Sequence, residues 1–196
     1  MKQKLLNALE LTFENAQSLY EEAEILIANQ KIGRGYSLFH LSFEESGRYN
    51  LIFSHLRDFY CGRIKLKDLN YGSLKKLGFE RHDKKISKGL YGIYFSALVD
   101  LYFKKEQEEP FADFLDKIDV NVLEGFQEKI GMTEEQGIEF NRLKNAGLYV
   151  SYFENDFRLP DDVITMGQYD RIKNLARLGL RVVEIHHNHQ KRWGWS

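Results

Sequence analysis

Apolar residues at Leu5, Leu9, Phe13, Ala16, Leu19, Tyr20, Ala23 and Ile27 recur at spacings of three and four, which predicts a long amphipathic helix over residues 5–28. Gly33 and Gly35 are expected to break it. A second helix is predicted over about 36–60, with Leu38, Leu41, Ile52, Leu56 and Phe59 along one stripe; its Ser37, Ser42, Ser46 and Gly47 would let neighbours approach closely. Residues 62–79 mix charge, glycine and leucine without a period and read as a connector with room for one short helix. A third long helix is predicted over about 80–105, buried through Ile86, Leu90, Ile93, Ala97, Leu101 and Tyr102, and Pro110 ends any continuation. A shorter acidic helix over 111–129 follows, and Thr133 with Gln136 offers a capping box. A fourth principal helix then carries Ile138, Tyr149 and Phe153, and after Leu159-Pro160 a last helix spans about 164–189. No repeat and no alternating strand pattern of useful length is visible, so the chain reads as all-α.

Three polar clusters interrupt these stripes: Glu44-Glu45-Ser46-Gly47-Arg48, Arg81-His82-Asp83-Lys84-Lys85, and the run from Arg142 to Val150. Burying ionisable groups is costly unless they pair, so three interruptions on separate helices point to one shared internal site. On the second helix the stripe through Leu38, Leu41 and Ile52 passes Glu45, which is expected to face inward with Glu44 a quarter-turn aside. On the third helix the series Ile93, Gly89, Ile86 reaches His82, with Lys85 at i+3. On the fourth, stepping back from Phe153 and Tyr149 reaches Asn145 and Arg142, so these two are expected on the buried side and Lys144 elsewhere. A carboxylate, an imidazole and a guanidinium together can neutralise one another and still present a proton-transfer group beside a phosphate-binding group. The same trio would equally serve as an ion-pair network that fixes helix register.

Composition narrows the classes. With 196 residues the chain fits a single domain spanning 1–196, and 14 Phe, 11 Tyr and only 2 Pro suit a helical globular protein. No segment approaches the roughly 20 uninterrupted apolar residues of a membrane span, and the first residues lack a signal-peptide pattern, so a cytoplasmic protein without a membrane partner is expected. The single Cys61 excludes an internal disulfide and a thiolate metal cluster. A net charge of -1 argues against a generally basic nucleic-acid binder, yet residues 63–88 hold nine bases against three acids and residues 106–139 eleven acids against two bases. The first of these stretches is a candidate phosphate-facing surface or simply a solvated helix face.

Glu44-Glu45-Ser46-Gly47-Arg48 resembles the Glu-Glu-x-Gly-Lys signature of AbiV-type abortive infection proteins, a branch of the HEPN helical superfamily. His82 with Lys85 resembles that family's His-x-x-Lys element, and Arg142 to Val150, ending Gly147-Leu148-Tyr149-Val150, its Gly-Leu-Tyr-Val block. The ordered matches frame about residues 15–155, and Arg48 stands where the family often has Lys. The resemblance implies an antiparallel helical bundle, a HEPN-like four-helix core with an additional C-terminal helix. It also implies homodimerisation and a role in phage defence that arrests host growth or translation.

Many HEPN proteins are metal-independent ribonucleases, so the resemblance further implies RNA cleavage with no metal and no cofactor. His82 would then be the general acid or base, Arg142 the phosphate clamp and Glu45 the orienting carboxylate. Glu44, Arg48, Lys85, Asn145 and Tyr149 would line the substrate, and a phage-encoded protein would be the activator. The superfamily's Arg-to-His spacing of four to six intervening residues occurs at Arg34/His40, Arg48/His55, Arg181/His186 and Arg181/His187, none of them in the Arg142 block. The alternative is a non-catalytic helical module that binds RNA, a nucleotide or a translation or phage protein. His186-His187-Asn188-His189 would suit a metal by spacing, but it reads better as a cationic helix end beside Trp193 and Trp195.

Overall fold

The computed structural model describes residues 1–104 and 134–192. The expected acidic helix over 111–129, the stop at Pro110, the cap at Thr133, and Trp193 and Trp195 lie outside the described residues. So does the side chain of His189. Among the described residues the α-helices are α1 (Lys2–Ala28), α2 (Ile32–Tyr60), α3 (Tyr71–Lys76), α4 (His82–Lys104), α5 (Glu134–Ala146), α6 (Pro160–Val163) and α7 (Met166–Arg192). A 3-10 turn at Leu66–Asp68 precedes α3, and two short strands, β1 (Ser151–Phe153) and β2 (Asp156–Arg158), stand between α5 and α6. Among the described residues the fold is all-α but for that hairpin.

Everything is organised around α2, which packs against α1, α4, α5, α6 and α7. Of its 29 residues 19 are buried, so it carries no single apolar stripe: it is covered on all sides. Its small residues each meet a different neighbour. Ser42 Oγ donates to the Ala16 carbonyl of α1 at 2.8 Å, and Ser37 Oγ donates to the Lys144 carbonyl of α5 at 2.7 Å. Ser46 abuts Gly179 of α7, and Gly47 faces the backbone of Lys85 and Gly89 in α4. The register of these contacts makes α1 and α5 antiparallel to α2, whereas α4 and α7 run alongside it in the same direction.

Gly33 and Gly35 do not break a helix. The chain turns at Asn29 to Lys31, where Gln30 has φ 61°, and both glycines lie inside the first turns of α2. There they admit Pro160 and the Ile27 side chain respectively, and Asp161 Oδ1 accepts from Gly33 N at 2.8 Å. The fourth principal helix also ends earlier than its apolar residues suggest. It stops at Ala146, and Tyr152 and Phe153 belong to a hairpin whose turn residues Glu154 and Asn155 have φ 51° and 67°.

Among the described residues two apolar clusters fill the interior. One gathers Tyr36, Phe39, Phe43, Phe140, Leu143, Ile172 and Ala176; the other gathers Leu9, Tyr49, Ile52, Leu56, Leu74 and Val183. Along α2 they are separated by residues 44–48, the first polar cluster.

Candidate functional site

Glu44 is the centre of the buried polar network. Its side chain is 1% exposed, yet its two carboxylate oxygens gather groups from three helices. From α4, His82 Nδ1 lies 2.6 Å and Lys85 Nζ 2.8 Å from Oε2. From α5, Lys144 Nζ lies 3.1 Å from Oε1. From α2 itself, one turn back, His40 Nδ1 lies 3.3 Å from Oε1, an electrostatic contact without hydrogen-bond alignment. Lys144 Nζ also comes within 3.3 Å of His82 Nδ1.

Two glycines make this convergence sterically possible. A Cβ at Gly47 would run into the carbonyl oxygen of Lys85, and one at Gly147 into the Gly33 carbonyl and Ser37 Oγ. The first holds α4 against α2 at the level of Lys85; the second seats the end of α5, and with it Lys144, against the start of α2. The glycines of the Glu-Glu-x-Gly and Gly-Leu-Tyr-Val blocks are therefore spacing elements for the charges beside them.

Burial by itself disfavours the Glu44 carboxylate, but the polar His40 ring at its side and the Lys85 ammonium outweigh burial and hold the carboxyl well below the usual carboxylate range, with the lysine supplying the positive charge. Burial pushes the His40 imidazole down, against the pull of Glu44, so it is neutral at pH 7. One carboxylate thus faces two lysine ammonium groups, an excess of positive charge before His82 is counted.

His82 is the exposed member. Its side chain is 52% accessible, with Nδ1 turned in towards Glu44. The 2.6 Å contact to a carboxylate assigns a ring proton to Nδ1, and Nε2 has no hydrogen-bond partner among the described residues.

The remaining predicted residues stand apart from this network. Glu45 pairs with Arg48 on its own helix at 2.7 Å, and the Arg48 guanidinium lies over the Phe79 ring at 5.1 Å. Arg142 and Asn145, expected on the buried side of α5, are exposed; Arg142 pairs with Glu139 at 2.7 Å and covers the Phe153 ring at 4.5 Å. Lys144, expected elsewhere, is the buried one. A phase set by Tyr149 and Phe153 misleads because both lie beyond the helix. Phe140, Leu143 and Ala146 alone would have turned Lys144 inward. Tyr149 is 65% exposed. His40, which sequence reasoning left out of the site, had one local signal: it lies four residues before Glu44 on a helix.

None of the four Arg-to-His spacings forms a site of its own. Arg34 is exposed while His40 serves Glu44. His55 Nε2 meets the Asp68 carbonyl at 3.2 Å, and His186 stacks on Phe53 at 4.4 Å with Nδ1 3.2 Å from Asn50 Oδ1. His187 pairs with Glu10 at 3.4 Å.

A helical bundle around a buried Glu-His-Lys network is the class of protein these observations define. The chain belongs to the HEPN_AbiV family: the family model, described as AbiV, matches residues 4–181 and so takes in every residue of the network. Comparison with curated proteins returned no match. Comparison with solved structures returned none either. Among the described residues no helix is long and apolar enough to cross a membrane.

Proposed function

We propose that this AbiV-family protein arrests growth of a phage-infected host by cleaving RNA without a metal, with His82 as the proton-transfer group. The observation that carries this reading is the His82–Glu44 pair. A half-exposed imidazole with Nδ1 fixed on a buried carboxylate and Nε2 free is the arrangement a general base requires. In the proposed step Nε2 takes the proton of a ribose 2′-hydroxyl, and the 2′-oxygen bonds to the adjacent phosphorus. The bond from phosphorus to the 5′-oxygen breaks, and that oxygen takes a proton from solvent. The products are a 2′,3′-cyclic phosphate and a 5′-hydroxyl end.

In this reading the orienting role assigned to Glu45 passes to Glu44, and the positive charge assigned to Arg142 passes to Lys144 and Lys85. Their excess over Glu44 favours a phosphate at His82. Asn145 and Tyr149, exposed just beyond Lys144, would meet ribose and base. A homodimer, a cytoplasmic setting and release by a phage-encoded protein belong to the same proposal. A non-catalytic binding module is the second reading, supported by the full engagement of both lysines with Glu44.

The test is induced expression of wild type and His82→Ala in a bacterial host, with growth curves and total-RNA end mapping. Arrest with new 5′-hydroxyl ends in wild type alone is the expected result. New ends that persist in a folded His82→Ala protein would overturn the assignment, and arrest without new ends would favour the binding module.

A further inference from the structure

The antiparallel pair of α1 and α7 is closed at both ends by ion pairs and open between them. At one end Lys173 Nζ lies 2.8 Å from Glu24. At the other His187 Nε2 lies 3.4 Å from Glu10, its ring 4.9 Å from that of Phe13. Between these ends is a cavity of about 310 Å³ lined by half-buried Phe13, Tyr20 and Leu180, with Gln17, Arg177 and Arg181 around them. The two arginines are exposed, one helical turn apart, and neither has a carboxylate partner among the described residues. Arg177 makes one long contact, 3.5 Å to the Asn174 amide oxygen.

We propose that this groove docks an acidic amphipathic helix of a partner protein. One large apolar side chain of that helix would fill the cavity, and two carboxylates four residues apart would meet Arg177 and Arg181. Two exposed guanidiniums over an apolar floor form a surface that carboxylates flanking an apolar anchor complement. The groove is linear: the 14 residue steps from Glu10 to Glu24 span about 21 Å of helix axis, room for a few turns of a third helix. The charge pattern separates this occupant from an RNA strand. Besides the paired Glu10 and Glu24, helix α1 carries Glu14, Glu21 and Glu22, so a polyanion running along it would meet like charge on either side of the arginines. A helix bearing two acids requires positive charge only where Arg177 and Arg181 supply it. Glu184 lines the same cavity and sets the register, since the partner residue facing it must be neutral or basic.

This inference is independent of whether the protein cuts RNA. It is tested by selecting a displayed library of randomised amphipathic helical peptides on the purified full chain. Selected peptides are then measured by fluorescence anisotropy against wild type and Arg177→Glu/Arg181→Glu, with circular dichroism confirming equal folding. The expected peptides carry acids four apart around Phe, Leu or Trp and bind wild type at least tenfold tighter than the double variant. Exchanging their acids for lysine should restore binding to the double variant. Lack of enrichment, enriched peptides without acids, or equal binding to both proteins would overturn the proposal. So would a single-stranded RNA oligonucleotide that binds wild type and loses binding in the same double variant.

Discussion

Glu44 and Glu45 are adjacent on α2, yet one carboxylate is shared among three helices and the other is satisfied by its own helix. Glu44 draws His82 and Lys85 from α4 and Lys144 from α5. Glu45 holds Arg48, three residues on. The difference arises less from the residues than from the approach of the backbones. Gly47 and Gly147 let α4 and α5 come close enough to α2 for lysines to reach a buried oxygen. Charges brought together across helices in this way report on tertiary structure; charges three residues apart on one helix report on local structure alone.

Removing the shared carboxylate should break that contrast most severely. Glu44→Ala leaves the Lys85 and Lys144 ammonium groups buried without a counter-charge, and is expected to cost about 3–5 kcal/mol in urea unfolding. A loss below about 1 kcal/mol would show that the lysines find water or other partners. Next in size is Gly47→Ala. In an open helix this exchange would gain about 1 kcal/mol, but here the new methyl meets backbone that cannot rotate away, at Lys85 and Gly89. Overpacking at such a site costs about 1–3 kcal/mol and should dominate. Gly167→Ala, where nothing lies within 4 Å of the added carbon, is the matched control and should be neutral or slightly stabilising.

Acid should weaken the shared network from two directions at once. His40 is held below its ordinary 6.5 by burial, so the unfolded chain binds this proton more readily than the folded one. Stability from His40 is therefore complete above about pH 6.5 and falls as pH drops towards its folded value. Glu44 is likewise below its ordinary 4.5, so its contribution is complete above about pH 4.5 and declines further down. Both slopes have the same sign, and thermal unfolding from pH 8 to 3 should show a monotonic loss of melting temperature. Replacing His40 with Phe should flatten the part between about pH 6.5 and 4.5. An unchanged slope there would remove His40 from the account.

Much of the fold was legible from periodicity because α1, α4 and α7 each bury one side. The central helix was not legible in the same way, since α2 is covered all round and a stripe chosen from Leu38, Leu41 and Ile52 selects one flank among several. Such a stripe points to Glu45, one position away from the carboxylate on which the network converges. On α5 the error was of phase. The apolar rings of Tyr149 and Phe153 continue the helical spacing numerically, but the chain has already left the helix and formed a hairpin. The polar clusters themselves were legible, because interrupted apolar patterns on three helices must be reconciled somewhere. The stripe of α4 by itself brings His82 and Lys85 to the shared site, whereas Lys144 and His40 reach it only through the packing of α5 and α2.

The smallest effect sharpens the comparison by its size. Arg142 and Glu139 form an exposed pair on the outer face of α5, and such pairs at i, i+3 contribute about 0.2–0.5 kcal/mol. Arg142→Ala also uncovers the Phe153 ring, which adds an exposed cation-π contact of about 0.5–1 kcal/mol. The expected total is near 1 kcal/mol, it should shrink in high salt, and growth arrest should persist if His82 and Glu44 are the working pair. Loss of arrest in a folded Arg142→Ala protein would move the phosphate-binding charge back to the outer face of α5. The buried lysines would then be left with only the task of holding Glu44 in place.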